Sequence, residues 1–236
     1  MTSLTSVRVV RRSALEAAHL SLDARWLSEE IHWPASYGGT EPAAEAAAVA
    51  GGAGLGEIGP FDELLIRGPD ALPAIARLAA AAAPATAGNL VGVNLRGELW
   101  TAWILEHDEI LLLSPTGGSM LTTRAEELTS ERVSVIEMSG TRTALRLVGP
   151  AAPAILAELC PDDTTPGAMA PGFLIQAPLA GVRALVARQD AGHWPGYTIL
   201  VARDEATYTW DALRAVGAAH HLTPVAPARL TPADGS

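Results

Sequence analysis

The spacing of apolar positions changes character along the chain. Over residues 13–27, Leu15, Ala18, Leu22 and Leu27 recur near helical spacing with acidic residues between them, which predicts a short amphipathic helix or helical turn. Residues 32–39 interrupt it, because Pro34 keeps its predecessor out of the helical region and the paired glycines allow a tight turn. Residues 41–50 are alanine-rich and helical by propensity, and Gly51-Gly52 ends that helix. A strand is then predicted over 63–67, a Gly-Pro-Asp turn, and a helix over 71–83. Strands over 89–94 and 98–105, joined by Leu95-Arg96-Gly97, are followed by a third over 109–114, a helix over 122–129 and a strand over 133–138.

The same rhythm returns. A strand over 143–148, a Gly149-Pro150 turn and a helix over 151–159 lead to strands over 172–178, 182–188 and 197–202 and a helix over 204–216. The dipeptides Gly68-Pro69 and Gly149-Pro150 each stand between a strand and a helix, about eighty residues apart, as an internal repeat would place them. The pattern therefore predicts an α+β fold of two ferredoxin-like, split βαβ subdomains. The halves span about 55–140 and 141–222 and share one core with the N-terminal segment. A flexible tail is expected over 223–236.

Composition narrows the chemistry. The formal charge of −10 and pI near 5.0, with no basic stripe, argue against a nucleic-acid partner, whose affinity comes largely from phosphate neutralisation. All 16 basic residues are arginine, so no lysine can form a Schiff base, anchor pyridoxal phosphate or serve a phosphate loop. The longest small-apolar run, 78–83, is too short to span a bilayer, and the N-terminus lacks the pattern of a signal peptide. Cys160 is the only cysteine, so a cytoplasmic location is expected. His220-His221 lacks the supporting acids or cysteines of a metal site, and no metal is expected.

Read in order, several segments carry a family resemblance. They are Arg12-Ser13-Ala14-Leu15 with His19; Trp33, Pro34 and Tyr37; Glu45 with Ala53-Gly54-Leu55; and Leu65-Ile66-Arg67-Gly68-Pro69-Asp70-Ala71. Further on come the run from Leu145 to Ala152, the run from Leu159 to Asp163, Gly196-Tyr197, and Trp210-Asp211-Ala212-Leu213. This order resembles the folate-binding part of the glycine cleavage T-protein and its relative, the gamma subunit of heterotetrameric sarcosine oxidase. The resemblance implies two halves around a central funnel for tetrahydrofolate. It also implies the absence of the T-protein's C-terminal barrel domain, about a hundred residues on the usual domain scale.

At the family's functional positions this chain departs. Where the T-protein carries an Asp pair, Trp100 and Thr101 stand, and strand alternation sets Thr101 and Trp103 on the face opposite Trp100. Where the family commonly uses a Glu for the pterin ring, His193 or Trp194 stands, and neither can accept the paired donors that a carboxylate accepts. Glu57 keeps a family carboxylate. The candidate catalytic residues are thus His193, Thr101 and Glu57. Trp33, Tyr37, Trp100, Trp103, Trp194, Tyr197 and Arg188 are the candidates for substrate or cofactor binding, since indole faces suit a flat or cationic ligand.

Three functions follow. The resemblance implies a tetrahydrofolate-dependent one-carbon transferase, of aminomethyltransferase or demethylase type, with an altered pocket. The lost carboxylates and the tryptophans suit a folate-independent enzyme that rearranges or cyclises an apolar ring-containing substrate. The stretch 145–163 suits a non-catalytic gamma-like subunit of an oxidoreductase complex. The expected partners are a small molecule, other oxidoreductase subunits or further copies of this chain, and neither nucleic acid nor membrane.

Overall fold

The computed structural model describes residues 10–38, 41–79, 85–95, 97–114 and 128–230, without the side chain of Arg229. Arg96, the end of the small-apolar run and nearly all of the helix predicted over 122–129 lie outside the described residues.

The N-terminal segment forms four short strands, β1 (Arg11–Arg12), β2 (Ala24–Trp26), β3 (Ile31–His32) and β4 (Pro34–Tyr37), with β1 beside β3 and β2 beside β4. The amphipathic stretch becomes a helix only over Glu16–Leu20, with Leu15 buried and Leu20 left in solvent. The alanine-rich helix runs Pro42–Gly51 and leads into β5 (Ala53–Ile58).

The first half consists of β6 (Glu63–Arg67), a helix Ala71–Ala76, the meander β7 (Asn89–Leu95), β8 (Glu98–Glu106) and β9 (Glu109–Leu113), and β10 (Ser134–Glu137). Its five strands are ordered β10-β6-β9-β8-β7, all antiparallel. The second half repeats the plan with β11 (Arg142–Val148), a helix Ala152–Leu159, the meander β12 (Leu174–Leu179), β13 (Val182–Arg188) and β14 (Gly196–Ala202), a helix Ala206–Gly217, and β15 (Leu222–Pro224). Its sheet is ordered β12-β13-β14-β11-β5-β15, so β5 is inserted between the first and last strands of the repeat. The first sheet thus has one strand more, and the second, with β5 inserted, two strands more than the four-stranded split βαβ unit expected from the sequence. The third strand of each meander, β9 or β14, takes the place beside the first strand.

Strand alternation sorts the side chains into separate layers. Leu64, Ile66, Trp100, Ala102, Ile104, Ile110 and Leu112 pack with Ala71 and Ile75 on the helix side of the first sheet. Leu145, Leu147, Val186, Tyr197 and Ile199 pack with Ile155, Leu156, Trp210 and Leu213 on the helix side of the second. Between the sheets, Trp103, Leu105 and Leu111 meet Ala144, Leu185, Ala187 and Leu200. Both faces of both sheets are therefore covered, which explains why strands such as Ile110-Leu111-Leu112 read as continuous apolar runs.

Two expectations change. The pattern gave no strand over 53–58, because Gly54 and Gly56 weaken the strand signal. Their missing side chains leave room for a C-terminal strap: a Cβ on Gly54 would lie 2.8 Å from Val225 Cγ2, and one on Gly56 2.7 Å from Leu230 Cδ1. The expected flexible tail is accordingly packed as far as Leu230, with Val225 and Leu230 fully buried. Residues 231–236 lie outside the described part.

Where the halves join, Arg142 of β11 donates to Glu63 of β6. Burial pushes the Glu63 carboxyl up to about 7 against the pull of Arg142, and its Oε2 has no hydrogen-bond partner among the described residues.

Candidate functional site

A cavity of about 510 Å³ opens between the two sheets. Thr101 and Trp103 of β8 and Leu113 of β9 form one wall, and Ala144 and Arg146 of β11 with Thr198 and Leu200 of β14 form the other. Ile58, Gly59 and Phe61 close one side, Gln189 another, and Pro227 and Ala228 of the strap a third. The site sits where the inter-sheet core stops: Trp103, Leu111 and Leu200 fill the gap beyond it.

Its polarity is unusual for a catalytic cleft. Among the described lining residues there is no carboxylate and no imidazole; the hydroxyls of Thr101, Ser114 and Thr198, the Gln189 side chain and one guanidinium supply the polar groups. Arg146 alternates with Leu145 and Leu147, which face the helices, so its own side chain is turned towards the opposite sheet. It is 3% exposed. Its Nε donates to the Leu230 carbonyl at 3.0 Å, one Nη to Thr198 Oγ1 at 3.3 Å and the other to the Gln189 carbonyl. Burial pulls its pKa down to about 10, opposed by the charge of Asp190, so it remains a cation near neutral pH.

Of the residues expected at the site, only Thr101 and Trp103 line this cavity. Trp100 is fully buried in the helix-side core of the first sheet, with its indole nitrogen donating to Glu98 at 3.3 Å. Tyr197 is likewise on the helix side of the second sheet, its hydroxyl donating to the Thr164 carbonyl at 2.7 Å. Arg188 holds Asp190 through two bonds of 2.9 and 2.8 Å and donates to the carbonyls of Pro166 and Met169, fastening the loop after Cys160. His193 is exposed at a turn, its ring 4.1 Å from that of Trp194, and Trp194 packs beside Val49, Val148, Val225 and Leu230. Trp33 borders a second cavity of about 260 Å³ together with Arg11, Arg12, Arg142 and Arg203.

Glu57 and Tyr37 belong to a buried network on the helix side. Ser13 Oγ donates to Glu57 Oε2, His19 Nε2 lies 2.7 Å from the same oxygen, and Tyr37 Oη is 2.9 Å from His19 Nδ1. Burial, with the charge of Glu57, pushes the Tyr37 hydroxyl far up, so it stays protonated beside His19 Nδ1. The His19 ring also stands edge-on to Trp210, with centroids 5.4 Å apart. This network fastens the N-terminal segment to β5; it does not reach the cavity, which Ile58 and Gly59 face instead.

Arg146, Ser114, Gln189 and Thr198 were not singled out from the sequence. The available signal was an arginine inside the otherwise apolar strand Ala144-Leu145-Arg146-Leu147-Val148. The site lies at the join of two halves that repeat one strand order, and residues 15–229 match the family described as GCVT N-terminal domain. The chain belongs to that family.

Relatives within reach of this family chain include the sarcosine oxidase subunit gamma of Corynebacterium sp. (strain P-1), 31% identical over 130 residues, covering 55% of this chain and 62% of the relative. The Arthrobacter sp. subunit gamma is 34% identical over 87 residues, 37% of this chain and 43% of its own length. This chain therefore spans less than two thirds of those two relatives, whereas for the subunit gamma of Corynebacterium sp. (strain U-96) the match is 33% over 158 residues, 64% of this chain and 75% of the relative. Two solved structures share the fold. The heterotetrameric sarcosine oxidase from Corynebacterium sp. U-96 in complex with pyrrole 2-carboxylate gives a TM-score of 0.67 at 24% identity, over 92% of this chain and 99% of that one. The glycine cleavage system aminomethyltransferase T from Bartonella henselae gives 0.72 at 18%, over 93% and 61%.

Among the described residues no group of three or more His, Cys, Asp or Glu could hold a metal ion, and no helix is long and apolar enough to cross a membrane. Cys160 is buried, and burial pushes its thiol up, away from nucleophilic use.

Proposed function

We propose that this protein is a non-catalytic, gamma-like subunit of a sarcosine-oxidase-like complex in the cytoplasm. The observation that carries this reading is the chemistry of the inter-sheet cavity: its described walls offer no carboxylate to accept the donors of a pterin and no acid or base to move a proton at a folate nitrogen. The named relatives with more than 30% identity are gamma subunits of sarcosine oxidase, which points the same way. Tetrahydrofolate-dependent transfer is correspondingly less well supported, although the family can bind that cofactor. The ring-rearranging alternative leaned on Trp100 and Trp194, and both lie away from the cavity.

Assembly tests the proposal. Co-expressed with the products of neighbouring genes and passed through gel filtration, the 24.5 kDa chain should elute inside a larger complex of fixed stoichiometry. Elution on its own at every protein concentration would count decisively against it.

A further inference from the structure

Arg146 poses an electrostatic problem that its neighbours leave unsolved. A buried cation is stable only if it is paired or fully hydrogen-bonded, because desolvation of a charge costs several kcal/mol. All three acceptors around this guanidinium are neutral: the Leu230 and Gln189 carbonyls and the Thr198 hydroxyl. Asp190, the acid whose charge reaches it, is already held by two bonds from Arg188. A guanidinium has five N–H donors, and three are used here, so the remaining donors have no acceptor among the described residues.

The remainder of the cavity describes what would complete the pair. Trp103, Leu113, Leu200 and Phe61 supply apolar surface, and Thr101 and Thr198 supply neutral hydroxyls on opposite walls. The volume of about 510 Å³ is within the range of small-molecule sites. We propose that the inter-sheet cavity binds a small organic carboxylate with an apolar ring-bearing body, its carboxylate paired with Arg146 and its body lying between Trp103 and Leu200. The polarity is the reverse of a site that recognises a donor-edged ring through an acid. This inference goes beyond the assembly reading and does not depend on it, since binding is measured on the chain alone.

The test compares acids with their own primary amides, which share shape but lack the charge. Phenylacetate, 4-phenylbutyrate and indole-3-acetate, each beside its amide, are titrated by calorimetry and by ligand-observed NMR into the purified protein. A charge-assisted pair in a desolvated site should make at least one acid bind about ten- to a hundredfold more tightly than its amide. Arg146→Gln should remove that preference.

Because Arg146 also fastens the strap through Leu230, that variant could unfold, and Thr101→Phe is the second probe. It fills the wall formed by the other sheet and leaves the Arg146 side chain itself unchanged, and should abolish binding of the acid while leaving the melting temperature near that of the parent. Equal binding of acid and amide, retained preference in Arg146→Gln, undiminished binding in Thr101→Phe, or no acid bound at about 10 mM would each overturn the proposal. In that event Arg146 serves only to fasten the strap.

Discussion

Glu57→Ala should destabilise the protein by about 3–5 kcal/mol, the range found when one member of a buried charged network is removed. The carboxylate lies 1% exposed and accepts from Ser13 and His19 at a single oxygen. Its loss strands both donors in a space closed by Trp210 and Tyr37, and water cannot replace it without opening the core. Ser13 further accepts from the Leu15 amide at 2.8 Å, so the start of the Glu16–Leu20 helix should loosen as well. Glu57→Gln keeps the volume and one acceptor and should cost less than half as much. Urea unfolding followed by tryptophan fluorescence measures both. A loss under about 1 kcal/mol for Glu57→Ala would mean that the network contributes little, since typical surface changes cost that much or less. If Glu57 were catalytic instead, Glu57→Gln would leave stability alone and remove an activity.

Gly149→Ala should cost about 2–4 kcal/mol, from backbone strain plus a close contact that cannot relax. Gly149 has φ +138°, and a Cβ there would stand 2.6 Å from the Gly52 carbonyl and 2.8 Å from Ala53 Cα, which are backbone atoms of β5 and its lead-in. Gly68, its counterpart in the first half, has φ +131° and places a Cβ 2.1 Å from the Arg132 carbonyl. The repeated Gly-Pro dipeptide thus marks one structural device used twice: the chain leaves the first strand of each half in a conformation only glycine adopts readily, closely against a neighbouring backbone. Gly68→Ala should be affected to a similar degree. Gly97→Ala is the control, because its φ of +83° carries strain but a Cβ would meet nothing within 4 Å. It should cost only about 1 kcal/mol. Equal losses at Gly97 and Gly149 would show that the close approach to β5 is unimportant.

That Gly-Pro repeat was legible in the sequence, as were most strands, because burial on both faces and short turns leave clear apolar runs. Alternation along β8 also placed Thr101 and Trp103 on one face and Trp100 on the other. The insertion of β5 was not legible, since Ala-Gly-Leu-Gly-Glu-Ile lacks β-branched residues until its end and earns its place through contacts with a strap more than 160 residues later in the chain. Nor was the chemistry of the cavity. Arg146 faces Thr198 because of the register between β11 and β14, and reaches Gln189 across β14; neither neighbour follows from local pattern. Of the positions where the resemblance implies a lost carboxylate, Thr101 lines the cavity, whereas Trp100 faces the helix-side core and Trp194 and His193 lie on a turn outside it.

Calorimetric titration of tetrahydrofolate into the purified protein is the most direct measurement of whether this cavity has left one-carbon chemistry. With Arg146 as the only charged group among the described lining residues, the expected result is no saturable binding up to about 1 mM folate. A dissociation constant below about 10 µM, lost on Thr101→Phe, would place folate between the sheets and contradict the non-catalytic reading.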